Sequence, residues 1–237
     1  MKQNYYVIGC GGVCSYFLPA FLKTLNYSKE FKGSTVTLVD GDTIEDRNYE
    51  RQLFASGLTG MNKAEALMSV LGESHPNINL KTHSEYVTGS FPIKDGSVVI
   101  AFVDNHPARK DILSIVDRHE AKCFIGANGR ISASSYYYDH KWEGTTLDPR
   151  VRYPEILTTE RGSPVHAAGC NTEEHLEEIP QTSLANYFAG AHTLLLWNFW
   201  TTEYKELDPE QSYDFWPVEI SNTDMRYATK MVGDLKE

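Results

Sequence analysis

The sequence predicts an α/β fold in which a mostly parallel sheet is covered by helices on both faces. Three observations predict it. Strand-like and helix-like segments alternate through the first half of the chain. The strands read as continuous apolar, β-branched runs, as strands buried on both faces do. The turn after the first of them is rich in glycine. With 237 residues, 41% of them hydrophobic, the chain has material for one large packed domain.

The elements follow in order. YYVIG (Tyr5–Gly9) is the first strand, and a helix begins near Val13, with a kink expected at Pro19. STVTLVD (Ser34–Asp40) is a buried strand, and NKAEALMSVLG (Asn62–Gly72) has helical apolar spacing and a glycine stop. INLKTHSEYV (Ile78–Val87) and SVVIAFVD (Ser97–Asp104) are the next strands. A helix with Pro107 in its first turn follows, and KCFIGAN (Lys122–Asn128) closes the series. RISASSYYYDH (Arg130–His140) reads as a further strand, and Trp142 to Cys170 as a polar loop rich in Pro, Gly and Thr. The apolar helix SLANYFAGAHTLLLWNFW (Ser183–Trp200) precedes a polar, hairpin-like end with YDFWPVEI (Tyr213–Ile220) as a late strand. The expectation is a Rossmann-like sheet with late antiparallel strands in a single domain over 1–237. Residues 1–128 form its nucleotide-binding half and 129–237 its substrate or dimer half.

Charge and cysteine usage narrow the function. A formal net charge of −10 argues against a nucleic-acid partner, because phosphate backbones are bound by clustered Lys and Arg. Cys10, Cys14, Cys123 and Cys170 form no CxxC pair, so a four-thiolate zinc knot is not written here and a reducing, cytoplasmic setting fits. The N-terminus runs straight into a strand with no signal-peptide pattern. Asn186, His192 and Asn198 interrupt the apolar helix and its flanks lack basic clusters. It reads as a core or subunit-interface helix, with no membrane partner.

Gly9, Gly11 and Gly12 let backbone approach phosphate oxygens at a helix N-terminus. The sixth position of a dinucleotide pattern, where Gly or Ala packs closely, holds Cys14 instead. Asp40, ending the second strand, can accept hydrogen bonds from a ribose of NAD or ATP. The run after it is less generic: Asp42, Asn48, Arg51 and Gln52, then Lys63 at a helix start. Two cations and an amide converge where a polyphosphate is clamped. Taken singly, Arg51 and Lys63 also read as surface charges, Asp42 and Asp46 as turn or N-cap residues, and Asp104 as the cap of the helix at Pro107.

In combination these residues carry a resemblance. GxGGVxS, the D-x-D run leading to Asn48 and Arg51-Gln52, a Lys at a helix start, and Asp104 after a buried strand resemble the ThiF/MoeB family. These are adenylyltransferases related to the ubiquitin-activating enzymes. The likeness covers Tyr5 to Asn128 and, more loosely, Cys170 to Trp200. It implies ATP and Mg²⁺ as cofactors. Gly9, Gly11 and Gly12 would pass under the phosphates, and Asp40 would hold the ribose. Asn48, Arg51 and Lys63 would bind the triphosphate, with Asp42 and Gln52 in the same run. Asp104, with Asn105 beside it, would hold the metal. The substrate implied is the C-terminal carboxylate of a small ubiquitin-like or sulfur-carrier protein, and the assembly implied is a homodimer.

Cys170 stands where some relatives carry a thioester cysteine. His166 and His175 near it would lower its pKa and Glu173, Glu174, Glu177 and Glu178 would raise it, so a catalytic and a structural reading both stay open. The sequence departs from many relatives in two ways. An N-terminal helix carrying an arginine for the partner's ATP site has no place before the first strand, and the metal-binding CxxC pairs are missing. Two alternatives follow: a catalytically reduced binding or scaffold module, and an NAD-linked oxidoreductase supported by the glycine turn alone.

Overall fold

The computed structural model describes residues 2–128, 133–160, 183–202, 212–215 and 218–221. Six strands form one sheet: β1 (Asn4–Ile8), β2 (Thr35–Val39), β3 (Asn79–His83), β4 (Val98–Ala101), β5 (Lys122–Asn128) and β6 (Ala133–Asp139), in the order β3-β2-β1-β4-β5-β6. All neighbours are parallel except β5 and β6, which pair antiparallel from Lys122↔Asp139 to Asn128↔Ala133. A separate antiparallel pair, β7 (Ser212–Phe215) and β8 (Val218–Ser221), resolves the single late strand expected there into two.

Alternate side chains along each strand feed two cores, as a pleated strand requires. Tyr5, Val7, Val36, Leu38, Val98, Ile100 and Phe124 face one helical layer. That layer contains α1 (Gly12–Tyr27), α2 (Lys63–Leu71) and α6 (Ser183–Thr202). Ile8, Val39, Val99, Ala101, Cys123 and Ile125 face the other, built on α3 (His106–Arg118) with Ile156 of a short helix. Helices therefore cover both faces, as expected. α6 packs on α1, β5 and β6 and buries Trp197 completely. Among the described residues no helix is long and apolar enough to cross a membrane.

Local signals place the element ends. Asn62 caps α2, its side chain accepting from the N–H groups of Ala64 and Glu65. α3 is capped by Asn105, whose Oδ1 accepts from Ala108 N at 2.9 Å, so the cap lies one residue beyond Asp104. α1 runs unbroken from Gly12 to Tyr27 through Pro19. The strand expected to reach Val87 ends at His83, because past it the chain has left the ladder with β2. The polar stretch after Trp142 holds two short helices, α4 (Pro149–Arg152) and α5 (Glu155–Thr158). Asp148 starts the first of them by accepting from Arg150 N.

Candidate active site

β1 and β4 are neighbours, yet the chain leaves them toward opposite edges of the sheet. Beyond the carboxyl ends of such strands the connecting loops diverge and leave a crevice. A cavity of about 370 Å³ lies there. Its walls include Gly9, Gly11, Gly12, Asp40, Asp42, Arg51, Gln52, Lys63, Asp104 and Asn105, all named from sequence. Two further expected residues are not among them. Asn48 is buried and does not line the cavity; its Oδ1 accepts from Glu45 N at 3.0 Å and closes the capping box of the 3₁₀ turn Asp46–Glu50. It shapes the turn that delivers Arg51 and Gln52, whose N–H groups both donate to its carbonyl. Cys170, with His166 and His175, lies outside the described residues.

The glycine turn is held from two sides. Gly9 has φ +89°, and a Cβ there would lie 2.8 Å from the Phe102 carbonyl oxygen, so no side chain fits where β1 passes β4. Asp40 accepts from Cys10 N at 2.6 Å and from Asp42 N at 2.8 Å, tying the end of β2 to the turn. Burial pushes its carboxyl above the usual range, and the Asp42 and Cys10 N–H groups and Lys63 oppose that. Cys10 and Cys14 are buried in the turn and its helix, and burial raises the Cys10 thiol, with Cys14 adding to it. Burial likewise raises Cys123 on β5. Cys10 and Cys123 are therefore not poised as thiolates.

Asn62 brings Lys63 in. Besides capping α2, its amide donates to the carbonyls of Asp40 and Asp42 at 2.8 and 3.1 Å. Lys63 Nζ then meets Asp42 Oδ2 at 2.9 Å, with the lysine side chain well buried. The other oxygen, Asp42 Oδ1, accepts from the Tyr86 hydroxyl, and the Tyr86 ring lies on Gly41, where a Cβ would come within 2.5 Å of it. Burial works against the Asp42 charge, but Tyr86 and Lys63 outweigh it and hold the carboxyl below its usual range. The same hydrogen bond pushes Tyr86 up to about 12. Among the described residues no carboxylate pairs with the Arg51 guanidinium.

Sequence reasoning missed four polar wall residues: Glu85, Tyr86, Asn128 and Asn186. For Asn186 there was a signal, an amide interrupting an otherwise apolar helix. For Tyr86 there was none.

The acids on the walls (Asp40, Asp42, Glu85, Asp104) outnumber the cations (Arg51, Lys63). Side-chain charge alone therefore does not attract a triphosphate, and a divalent cation would restore the balance. Among the described residues no cluster of three His, Cys, Asp or Glu could cage a metal. A single carboxylate such as Asp104 suits Mg²⁺, which keeps waters and shares phosphate oxygens. The donor set fits that ion.

Residues 1–191 match the ThiF family. The chain belongs to that family. It is 29% identical over 108 residues to the adenylyltransferase and sulfurtransferase uba4 of Pyricularia oryzae, a match covering 44% of this chain and 21% of that one. Among solved structures it resembles Escherichia coli MccB with ATP, at a TM-score of 0.59 and 17% identity over 83% of this chain and 55% of that one. It also resembles E. coli tRNA N6-threonylcarbamoyladenosine dehydratase, TcdA, in complex with AMP. There the TM-score is 0.54 and the identity 19%, over 82% of this chain and 85% of that one. These structural likenesses are of fold. The ThiF chain described here spans about a fifth of the uba4 protein and about half of MccB.

Proposed function

We propose that this ThiF-family protein uses ATP to adenylate a carboxylate, that of the C-terminus of a small ubiquitin-like or sulfur-carrier protein. The observation that carries the proposal is the convergence of the glycine turn, Asp40, Arg51, Lys63 and Asp104 on one cavity from five separate segments. A dinucleotide needs the turn and Asp40. It has no use for Arg51 and Lys63 held together across the same space.

The chain's own groups suit an attack at the α-phosphorus with pyrophosphate leaving. N–H groups at the start of α1 would be available to the phosphates, and the Asp40 carboxylate, which accepts from Cys10 N and Asp42 N, keeps lone pairs that would take ribose hydroxyls. Arg51 is free to follow the leaving pyrophosphate. Lys63 can share its charge between Asp42 and a phosphate oxygen, gaining in the transition state as negative charge builds. Mg²⁺ on Asp104 would supply further charge neutralisation between the phosphates. Transfer of the activated acyl group to the Cys170 thiolate, with AMP as the leaving group, belongs to the same proposal. So does a homodimer, for which the exposed Leu184, Tyr187 and Phe188 of α6 offer an apolar face.

The test is Mg²⁺-dependent ATP binding by calorimetry, wild type beside Arg51→Ala and Asp104→Ala, followed by ATP–pyrophosphate exchange. Binding weakened by both changes supports the proposal. No binding at millimolar ATP rejects it for the chain alone and leaves a scaffold. Cys170→Ser is expected to keep exchange and lose any acyl thioester, and sedimentation equilibrium reads the assembly state.

A further inference from the structure

Arg51 reaches the cavity from a segment with little secondary structure of its own. Its backbone sits just past a single 3₁₀ turn, with its N–H on Asn48 O at 3.2 Å. Among the described residues, hydrogen bonds from α1 and α6 hold residues 50–53 through their backbone. Ser15 Oγ of α1 accepts from Leu53 N at 2.9 Å, Ser183 Oγ donates to Glu50 O at 3.4 Å, and Asn186 Nδ2 donates to Arg51 O at 2.9 Å.

Asn186 is the contact made on Arg51 itself, and the helices are shaped to deliver it. A Cβ at Gly190 would lie 3.1 Å from both Val13 O and Phe17 N, so α6 rides against the backbone of α1. One turn earlier on the same face of α6, the Asn186 amide fills the place where a Gly12 Cβ would go, 2.4 Å from its Nδ2. The residue is 2% exposed. Its orientation is forced. The Arg51 carbonyl can only accept, so the amide nitrogen faces it, and Oδ1 is left to accept from Asn128 Nδ2 at 2.8 Å.

We propose that Asn186 is the positioning residue for Arg51: it fixes the Arg51 backbone against the glycine turn, so the guanidinium is aimed at the phosphates before nucleotide arrives. A long cation fixed at its base loses less freedom on binding than one on a mobile loop. The inference rests on the adenylation reading above. It adds that a residue of the second half sets the phosphate affinity of the first.

The experiment is calorimetry on the full chain with Mg²⁺, using ATP, tripolyphosphate and adenosine as separate probes. Asn186→Leu keeps the branching of the side chain and removes the donor, while its methyl groups add bulk beside Gly12. ATP and tripolyphosphate affinities are expected to fall roughly ten- to hundredfold while adenosine changes by less than about twofold. In an Arg51→Ala background the same substitution is expected to cost almost nothing further, since the group it positions is gone. ATP and adenosine weakening together would mean a general collapse of the pocket and overturn the proposal. An undiminished loss in the Arg51→Ala background would mean a direct contact and overturn it equally, as would unchanged ATP binding. If Asn186→Leu lowers the melting temperature too far to assay, Asn186→Ala, which adds no bulk beside Gly12, is read by the same criteria. Absence of ATP binding by the wild type rejects the adenylation reading and this inference together; wild-type binding with an indifferent Asn186 rejects this inference alone.

Discussion

At the far edge of the sheet, where β6 meets α3 and α4, polar groups close fully on one another; at the switch point they do so only in part. Arg150 donates to Asp117 at 2.6 Å, to Asp148 at 2.8 Å and to the Tyr138 hydroxyl at 2.8 Å, and Asp148 also accepts from Gly144 N. The Asp148 side chain is 3% exposed. In the cavity, Asp42 is 47% exposed with one lysine and the Tyr86 hydroxyl as partners, Arg51 has no carboxylate partner among the described residues, and the acids are in excess. The first cluster is saturated with partners and pins the segment after β6 to α3. The second keeps bonding capacity unspent and has room to bind. Buried polar groups that satisfy each other hold a fold, whereas those left short of partners await a ligand.

That contrast can be broken by experiment. The largest expected effect is on stability: Arg150→Met, which strands Asp117 and Asp148 without their cation, should cost about 3–5 kcal/mol in urea unfolding and leave the Kd for ATP unchanged. Equal damage to ATP binding would show that the clusters are not independent. Lys63→Met should do the reverse. Pyrophosphate exchange should fall roughly a hundred- to a thousandfold, with a stability change under about 1 kcal/mol because its partner is half in solvent.

A pH series sharpens the comparison further. Burial disfavours the Asp148 charge, but Arg150 and the Gly144 N–H outweigh it and hold the carboxyl below the usual range. Its folded value thus lies below its unfolded one. The stabilisation is complete above the ordinary carboxylate range, near pH 4, and is lost as pH falls through the lower folded value. Asp42 has the same sign. The urea midpoint should drop on acidification, and Asp148→Asn should flatten that drop more than Asp42→Asn does. Parallel curves for wild type and Asp148→Asn would remove the clamp from the account. The smallest effect is expected from Tyr86→Phe, which deletes one half-exposed hydrogen bond and should shift stability by no more than about 1 kcal/mol.

How far each region was legible follows from the reach of its contacts. The glycine turn, the helix over Asn62–Gly72 and the buried strands are written in adjacent residues, and sequence placed all of them. So are Asp40, Arg51 and Lys63, whose spacing is a motif. Tyr86 on Asp42, Arg150 on Asp117 and Asn186 on Arg51 join positions 44, 33 and 135 residues apart, and no local pattern announces such pairs. The stretch after Trp142 read as loop because a four-residue helix has too few turns to show a period; Asp148 caps it locally and Arg150 ties it to the distant Asp117. Asn48 was assigned to the ligand by motif; in the fold its Oδ1 accepts from Glu45 N and shapes the turn that carries Arg51.

The tight passage of α6 over α1 has a consequence for recombination. Gly12 and Asn186 share one small volume, and Gly190 lies against the α1 backbone at Val13 and Phe17, so enlarging any of the three pushes α6 off α1. A chimera that joins residues 2–128 to the corresponding second half of another ThiF protein must inherit glycine at 190 and a side chain no bulkier than Asn at 186. Without them the two parents' helices cannot nest. Size, rather than overall similarity, is then the rule by which halves of such proteins can be exchanged.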